Sequence, residues 1–387
     1  MINFEYSQPT SIVFGKGTQN EVGKHVAKYA KNILIVYGSD RIVKSGLLAQ
    51  VEDSLKKENI SYTLLGGVQP NPRLSVAYEG VKICKEKNID LVLAVGGGSP
   101  IDTAKAIAVG AKYSGDVWDL YIKKDTFEEA LPVATILTIA AAGSEASTGS
   151  VITNDKTGYK RDYNSKCAIP VFSILNPELT CSVPAYQTAC GSVDIMMHDI
   201  ERYFTNEKDV DITDRLCEAV LLCIIDNTSK ALKDPKNYGT RADIMWAGTL
   251  AHNDLLSTGR IGDWASHMMG HEIGAMFDIA HGATLAIVCP AWMKYVYKHD
   301  IARFKKFAVR VMRVSVEGLS DEQVALKGIE ALKDFFSSIG MPTSFKEVGV
   351  DETRLGEMAE KSQRFGTIGN FVKLNKEDVK SIYTLAL

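Results

Sequence analysis

Apolar positions follow two different patterns along the chain, and the first half shows the pattern of an α/β domain. Continuous apolar runs at residues 33–37, 60–65 and 91–95 predict buried strands, because each run is short and rich in β-branched residues. A segment with helical spacing follows each run, over residues 46–57, 75–87 and 101–111. Strands that alternate with helices form a parallel sheet covered on both faces. We therefore predict an α/β, Rossmann-like domain over residues 1–180.

The strand-like runs stop near residue 180, and the remaining apolar positions show helical spacing. This pattern predicts an all-α domain over residues 181–387. The chain length agrees with two domains, because 387 residues exceed what one ordinary core supports. The predicted helices cover residues 186–203, 211–232, 238–257, 284–297, 301–312, 321–338, 352–364 and 376–385.

Composition and charge exclude several classes of partner. Apolar residues make up 45% of the chain and charged residues 24%, as in globular proteins. The formal net charge of -3 gives no electrostatic basis for binding nucleic acid or an anionic membrane. The first residues lack a signal-peptide pattern, and no apolar run approaches the ~20 residues of a spanning helix. We therefore expect a cytoplasmic protein whose seven cysteines, which form no Cys-x-x-Cys pair, are reduced.

The predicted strand at residues 91–95 ends in a glycine-rich turn, Gly96-Gly97-Gly98-Ser99-Pro100. Glycines let the backbone approach a ligand, and the first turn of the following helix tolerates proline and offers free N–H groups to phosphate. The spacing is not Gly-x-Gly-x-x-Gly, because Ile101 occupies the last position. A tight connection that binds no ligand is the alternative. The position at the carboxyl end of a parallel strand favours a site for a dinucleotide pyrophosphate.

A second loop of small residues, 139–147, follows a predicted strand at residues 133–138. Such loops at the ends of neighbouring strands would form opposite sides of a dinucleotide site, although this loop alone is also consistent with a simple turn. Residues 151–153 and 168–175 predict a hairpin with a charged tip at residues 154–160. Lys160, at that tip, is either an ordinary solvated lysine or a contact for cofactor phosphate or ribose.

Four of the seven histidines lie in two stretches of the predicted helical domain. Asp194 and His198 are one helical turn apart, as are His267 and His271, so each pair lies on one face of a helix. An isolated Asp-x-x-x-His is more often an exposed pair than a metal site. Two such pairs followed by His281, among apolar residues, favour a divalent metal site, because buried charge must be paired or bind metal. The spacing differs from that of a metalloprotease helix, since no Glu follows His267.

A carboxylate with three or four imidazoles and no thiolate suits Fe²⁺ or Zn²⁺. Beside a dinucleotide, such an ion would polarise a carbonyl or lower the pKa of an alcohol while the nicotinamide carries hydride. The residues therefore favour an oxidoreductase. A metal-dependent hydrolase, which needs the ion but no pyrophosphate site, is the alternative.

These motifs together resemble the iron-containing (group III) alcohol dehydrogenases, and among them the butanol dehydrogenase-like branch, over essentially the whole chain. The resemblance implies a Rossmann-like N-terminal domain, a helical metal-binding and catalytic C-terminal domain, a homodimer, and reversible reduction of small aldehydes to primary alcohols. Glycerol dehydrogenase and a dehydroquinate synthase-like lyase are alternatives on the same fold. The resemblance rests on the glycine-rich turn with Asp102 and Lys105, on Gly143-Ser144-Glu145, on residues 175–180, on Asp194 with His198, and on residues 260–295.

The resemblance also assigns residues to roles. It implies a catalytic role for His271, which would relay a proton, and a metal that is Fe²⁺ ahead of Zn²⁺. Apolar neighbours of the histidines, such as Met196 and Met269, favour a small hydrophobic substrate. The implied metal ligands are Asp194, His198, His267 and His281. The implied cofactor contacts are Asn71, Gly97, Gly98, Ser99, Asp102, Thr138, Ser147, Lys160 and Leu179.

Two departures from the family pattern concern the cofactor. Residues 140–145 are Ala-Ala-Ala-Gly-Ser-Glu where many relatives have Ala-Gly-Thr-Gly-Ser-Glu, so the loop loses a hydroxyl and a flexible glycine. Ser39 stands where NAD-using relatives tend to have an Asp, whose carboxylate accepts the ribose hydroxyls and repels a 2′-phosphate. Ser39 removes that repulsion and Arg41 adds positive charge, although Asp40 opposes it. We therefore predict NADP(H) over NAD(H), with Ser39 among the cofactor contacts.

Overall fold

Contacts divide the protein into an α/β unit and a helical unit, which confirms the predicted fold class. The structure, a computed structural model, describes residues 1–363 and 366–387. Arg364, at the end of one predicted helix, lies outside the described residues. The α/β unit comprises Ser7–Val183 and Lys236–Met245, and the helical unit comprises Met1–Tyr6, Pro184–Pro235 and Trp246–Leu387.

A parallel sheet forms the centre of the α/β unit. The strands, in chain order, are β1 (Ser11–Phe14), β2 (Asn32–Tyr37), β3 (Ser61–Leu65), β4 (Leu91–Gly96), β5 (Val133–Leu137), β6 (Gly149–Thr153), β7 (Lys160–Asn164) and β8 (Phe172–Leu175). The sheet has the order β1-β8-β5-β4-β2-β3, and every neighbouring pair is parallel. Every residue of β4 and β5 is buried, as expected for inner strands that are covered on both faces.

Helices cover both faces of this sheet. Those of the α/β unit are α1 (Val22–Val26), α2 (Arg41–Lys44), α3 (Leu47–Lys57), α4 (Leu74–Lys87), α5 (Gly98–Lys112) and α6 (Val117–Tyr121). Successive side chains of a strand point to opposite faces, so Leu34 of β2 packs with residues of α4 and α5, whereas Ile35 packs with residues of α1 and α3. Each fully buried aliphatic side chain of this kind stabilises the fold by about 1.5–3 kcal/mol.

The predicted hairpin pairing is wrong in one respect. β6 pairs with β7, which begins at Lys160, and not with residues 168–175. The latter segment contributes β8, which lies in the parallel sheet between β1 and β5. Every residue of β8 is buried, and a strand buried on both faces belongs inside a parallel sheet, because a hairpin strand usually leaves one face in water.

The helical unit is organised around α7 (Ala185–Tyr203), whose residues from Thr188 to Tyr203 are all buried. A helix buried on all sides lies in a protein core, so the polar side chains of α7 need partners within the protein. Within residues 1–363 and 366–387, no helix is long and apolar enough to cross a membrane. The helices that follow are α8 (Asp211–Lys233), α9 (Tyr238–His252), α10 (Ala265–Phe277), α11 (His281–Val296), α12 (Ile301–Arg310), α13 (Asp321–Ser338), α14 (Leu355–Ser362) and α15 (Lys376–Leu385).

The first turn of α11 approaches α7 closely. A Cβ atom on Gly282 would lie 2.1 Å from the main-chain oxygen of Cys190, which precedes Asp194 by one helical turn. Glycine permits this approach because it has no Cβ. The contact brings His281, the first residue of α11, toward Asp194.

Candidate metal and cofactor sites

One face of α7 carries three polar side chains in the core of the helical unit. Asp194, His198 and Glu201 are spaced i, i+4 and i+7, so helical geometry places them in a row. Helix α10 brings His267 to this row and α11 brings His281. Residues from three helices therefore meet at one place.

Asp194, His267 and His281 form a group able to hold a metal ion. The Oδ1 atom of Asp194 lies 3.9 Å from Nε2 of His267 and 3.8 Å from Nε2 of His281. One ligand atom from each of these residues lies within 4.8 Å of the other two. Two atoms bound to one ion at about 2.1 Å are at most about 4.2 Å apart. The donor types and their spacing therefore fit a divalent cation.

His198 lies beside this group, and its ring is oriented by α7 itself. Nδ1 of His198 is 2.9 Å from the main-chain oxygen of Asp194 and 3.5 Å from its Oδ1. A carbonyl oxygen only accepts hydrogen bonds, so Nδ1 donates and Nε2 keeps its lone pair. Burial lowers the pKa of His198 well below its usual value, and the charges of His267 and Arg202 lower it further. The ring is therefore neutral at pH 7, the form that binds metal, and ligation by His198 stays a prediction.

Glu201, which sequence reasoning missed, contacts one of the predicted ligands. Its Oε1 accepts hydrogen bonds from the main-chain N–H of His267 at 2.9 Å and from Nδ1 of the same residue at 3.0 Å. Its Oε2 accepts from the N–H of Trp264 at 2.6 Å. Burial raises the pKa of Glu201 to about 7, and the N–H donors oppose that rise. The i+7 spacing from Asp194 was the signal available in the sequence.

Arg202, His252 and Trp264 pack around His198 and were also missed. The ring centroids of His252 and His198 are 4.0 Å apart, and the guanidinium of Arg202 lies 4.7 Å from the centre of the Trp264 ring. Arg202 donates to the main-chain oxygen of His198 at 2.6 Å and to Nδ1 of His252 at 3.1 Å. His252 comes from α9, and no spacing in the sequence indicates which helices pack against one another.

His271 lies next to the metal-binding group. It follows His267 by one turn of α10 and is only 7% exposed. Its ring centroid is 5.3 Å from that of His281, but its ring atoms are not among the converging ligand atoms. The predicted proton-relaying role of His271 therefore stays a prediction.

The predicted cofactor residues of the α/β unit follow the carboxyl ends of its strands. Ser39 comes after β2, Gly97 and Gly98 after β4, Thr138 after β5, and Leu179 after β8. β3 lies next to β2 toward one edge of the sheet, and β5 lies next to β4 toward the other edge. β2 and β4 therefore flank the topological switch point, where open parallel sheets bind ligands.

The glycine-rich turn contacts the second loop of small residues. A Cβ atom on Gly97 would lie 3.1 Å from Cβ of Ile139, and one on Gly98 would lie 3.3 Å from Cβ of Ala142. Carbon atoms in ordinary contact are about 3.5–4.0 Å apart. The two loops therefore approach this closely only because the turn lacks side chains at these positions.

Two charged residues of α5, the half-buried Asp102 and the fully buried Lys105, anchor the second loop. The Asp102 carboxylate accepts a hydrogen bond from Oγ of Ser144 at 2.7 Å and one from the N–H of Val151 at 3.1 Å. Nζ of Lys105 donates to the main-chain oxygen of Ser147 at 2.7 Å. Burial raises the pKa of Asp102, and the positive charge of Lys105 opposes that rise. Both carboxylate oxygens of Asp102 already accept hydrogen bonds, one from the loop and one from β6, so its contact with a cofactor stays a prediction.

Several of the remaining cofactor candidates are buried polar groups. Nζ of Lys160 donates to Oδ1 of Asn71 at 3.0 Å, although the two residues are far apart in sequence. Oγ of Ser147 is buried and has no hydrogen-bond partner among the residues that the structure describes. A buried hydroxyl without a partner costs about 1–3 kcal/mol. That hydroxyl can donate a hydrogen bond, and the three glycines before Ser99 let a ligand approach the backbone closely. Both features fit a ligand with many acceptor atoms, such as a dinucleotide.

Comparison with known proteins gives one consistent result. Residues 9–177 match the iron-containing alcohol dehydrogenases, and residues 188–387 match the C-terminal domain of the Fe-containing alcohol dehydrogenase family. The chain is 45% identical over 390 residues to the probable NADH-dependent butanol dehydrogenase 2 of Bacillus subtilis, with 100% of each chain covered. It is 38% identical over 372 residues to the NADPH-dependent aldehyde reductase YqhD of Escherichia coli, with 95% of this chain and 94% of that protein covered.

A solved structure extends the match to the fold. The crystal structure of NADH-dependent butanol dehydrogenase A from Thermotoga maritima has a TM-score of 0.96 to this chain at 39% identity. The match covers 99% of this chain and 98% of that one.

Proposed function

The chain belongs to the iron-containing alcohol dehydrogenase family, and on that premise we propose that it interconverts small primary alcohols and aldehydes with a nicotinamide cofactor. The observation that carries the proposal is the convergence of Asp194, His267 and His281 on one point. It is supported by the glycine-rich turn at the switch point of the parallel sheet. A metal-dependent hydrolase would use the metal-binding residues but would not need the glycine-rich turn.

Asp194, His198, His267 and His281 would hold the metal. A bound Fe²⁺ or Zn²⁺ ion supplies a Lewis acid that polarises the substrate oxygen. The carboxylate of Asp194 offsets part of the charge of a divalent cation. The neutral ring of His198 is available as a ligand without first losing a proton.

His271 would move the proton that the reaction requires. Aldehyde reduction adds a hydride from the nicotinamide to the carbonyl carbon and a proton to its oxygen. Imidazole exchanges protons near neutral pH, and the ring of His271 lies beside His281 without belonging to the metal-binding group. We assign His271 as the proton relay, directly or through water.

The substrate would be a short aldehyde or primary alcohol. Relatives that cover the whole chain are named for butanol oxidation and aldehyde reduction. Met196 and Met269 are completely buried, so they pack in the core and do not indicate what the substrate site resembles, whereas Met268 and Phe277 of α10 are partly exposed. The preference for a small hydrophobic substrate therefore rests on the relatives and on the apolar side chains of α10 that are not fully buried.

The cofactor would be NADP(H) in preference to NAD(H). Ser39 is exposed two residues after the end of β2, at the switch point, and itself places no carboxylate there, although Asp40 follows it. The guanidinium of Arg41 donates to Oγ of Ser182 at 2.9 Å, which holds a positive charge two residues beyond Ser39. The Bacillus subtilis relative is named for NADH and the Escherichia coli relative for NADPH, so both cofactors occur among the relatives.

The proposal also includes a homodimer in the cytoplasm. The dimer follows from the family resemblance. The cytoplasmic location is supported by the seven cysteines, which are all free, because free thiols persist in reducing compartments.

The test is an assay of purified, metal-loaded protein for oxidation of NADPH or NADH with butanal, together with measurement of bound metal. We expect turnover in the wild type, and Asp194→Ala should lose the metal and lower kcat/KM about 10³-fold. Asp226→Ala, which removes an exposed aspartate from α8, is the matched control and should retain both. Turnover that survives in metal-free Asp194→Ala would overturn the proposal.

A further inference from the structure

Building on the proposed function, we infer that Glu201 is a positioning residue, whose carboxylate holds the ring of His267 with Nδ1 protonated and thereby presents Nε2 to the metal. Nothing in the family resemblance above assigns a role to Glu201. Its hydrogen bonds join it to His267 and Trp264, so its effect on the metal would act through His267.

The hydrogen bonds around Glu201 determine the state of the His267 ring. The main-chain N–H groups of His267 and Trp264 both donate to the Glu201 carboxylate and favour its ionised form against the effect of burial. An ionised carboxylate only accepts hydrogen bonds, so at the 3.0 Å contact with Oε1 the proton lies on Nδ1 of His267. Nε2 then carries the lone pair. This is the atom that lies 3.9 Å from Oδ1 of Asp194, on the metal-binding side of the ring.

The same carboxylate also stabilises the start of helix α10. Oε1 also accepts the main-chain N–H of His267, and Oε2 accepts the N–H of Trp264, the residue before α10. The first N–H groups of a helix have no partner within it and favour a negative charge. Trp264 has a positive φ of 69°, a conformation that costs energy for a non-glycine residue. Glu201 therefore stabilises both the start of α10 and the orientation of a side chain in its first turn.

A substitution at Asp263 can distinguish the effect on the start of α10 from the effect on the orientation of the His267 ring. The Asp263 carboxylate is completely buried at the same helix start, and its hydrogen-bond donors in the described part of the chain are main-chain N–H groups. Oδ1 accepts from Asn370 at 2.8 Å and Phe371 at 2.7 Å, and Oδ2 accepts from Ala265 at 3.2 Å. A substitution at Asp263 therefore removes a buried carboxylate from this helix start without removing a histidine contact.

The test compares Glu201→Gln with Asp263→Asn, using Zn²⁺ as the probe metal and competition with a chelator as the readout. A glutamine side chain offers one acceptor oxygen and one NH₂ donor. Whichever way its amide turns, an NH₂ group faces either the N–H of Trp264 or the two donors of His267. We expect Glu201→Gln to weaken Zn²⁺ binding about 10–100-fold, the usual loss when the partner of a metal-bound histidine is removed. Asp263→Asn should stay within about threefold of the wild type, even if it lowers the melting temperature as much.

A measurement on the wild type covers the case in which Glu201→Gln does not fold. The ¹⁵N shifts of imidazole nitrogens distinguish the two neutral tautomers, and His267→Gln identifies the signals of His267. We expect metal-free wild-type protein to show the Nδ1-protonated form of His267. The Nε2-protonated form would overturn the inference, as would equal Zn²⁺ affinity of Glu201→Gln and the wild type, or equal losses in both variants.

Failure of this inference is distinguishable from failure of the proposed function. If wild-type protein binds no Zn²⁺, or binds it equally well as Asp194→Ala, then the metal site and the proposed function both fail. If the wild type binds Zn²⁺ through Asp194 and Glu201→Gln binds it as tightly, then only the positioning role of Glu201 fails.

Discussion

The two units build their candidate sites from different parts of the polypeptide. In the helical unit the site consists of side chains, Asp194 and several histidines, which project from buried helices and are held by other buried polar side chains. In the α/β unit the site consists largely of main chain at the ends of strands, and the charged side chains of Asp102 and Lys105 anchor a loop. The metal site depends on the side chains that its helices carry, whereas the glycine-rich turn depends on the absence of side chains at its glycines.

This difference teaches where each kind of substitution should act. Removing a side chain from the helical site should change metal binding or rate and leave cofactor affinity unchanged. Adding a side chain to the glycine-rich turn should change cofactor affinity and leave the metal in place.

The largest expected effect belongs to His271→Ala. Loss of a positioned proton donor lowers kcat about 10²–10⁴-fold, whereas metal content and the KM for cofactor should be unchanged. The measurements are steady-state kinetics and elemental analysis of the same preparation. His299→Ala, which removes an exposed histidine of the same unit, should change kcat less than about twofold. Loss of metal from His271→Ala would instead make His271 a ligand.

The fold was largely predictable because its signals are local. The continuous apolar runs that became β2 and β4 and the helical spacing after residue 180 are properties of short windows. The partner of β8 was not predictable in this way, since Ser11 pairs with Phe172 from the other end of the α/β unit. Pairing between distant segments depends on the packing of the whole sheet, and the apolar run of β8 alone fits several partners.

The candidate site is predictable where spacing along one helix defines it. Asp194 and His267 are predicted ligands because each lies one helical turn from another residue able to bind metal, and histidines are scarce elsewhere in the chain. Glu201 lay on the same helical face at i+7, but a glutamate next to polar residues is a common surface pattern. His252 and Arg202 meet only because α9 packs near α7, which single-sequence spacing does not reveal.

Gly282→Ala should have the next largest effect. The new Cβ would lie 2.1 Å from the main-chain oxygen of Cys190, so α11 must move away from α7 and carry His281 with it. We expect the free energy of unfolding to fall by about 1–3 kcal/mol and Zn²⁺ affinity to fall about tenfold, with the KM for cofactor unchanged. Denaturant unfolding and chelator competition measure the two effects.

Gly356→Ala is the matched control for that substitution. Gly356 lies within α14, and outside the backbone of that helix no atom of residues 1–363 and 366–387 lies within 4 Å of the added Cβ, so alanine should be neutral or stabilise by up to about 1 kcal/mol. If Gly282→Ala behaves like Gly356→Ala, then the close approach of α11 to α7 is not what holds His281 in place.

Gly97→Ala tests the site of the α/β unit. Its Cβ would lie 3.1 Å from Cβ of Ile139, so the second loop must shift by a small amount or the turn must open. Strain of about 1–2 kcal/mol corresponds to a rise of about tenfold in the KM for cofactor. Metal content and kcat at saturating cofactor should match the wild type. A variant that loses metal but keeps its cofactor KM would contradict the proposed division between the two sites.

The smallest expected effect is that of Ser39→Asp on the choice of cofactor. A carboxylate at this exposed position would repel a 2′-phosphate by about 1 kcal/mol, the interaction of two unit charges about 4 Å apart in water. The ratio of kcat/KM for NADPH to that for NADH should therefore fall about fivefold, and more at low ionic strength, because salt screens exposed charges. Ser39→Ala, which removes the hydroxyl without adding charge, should change the ratio less. A wild type that already prefers NADH, or a ratio that Ser39→Asp leaves unchanged, would show that another residue selects the cofactor.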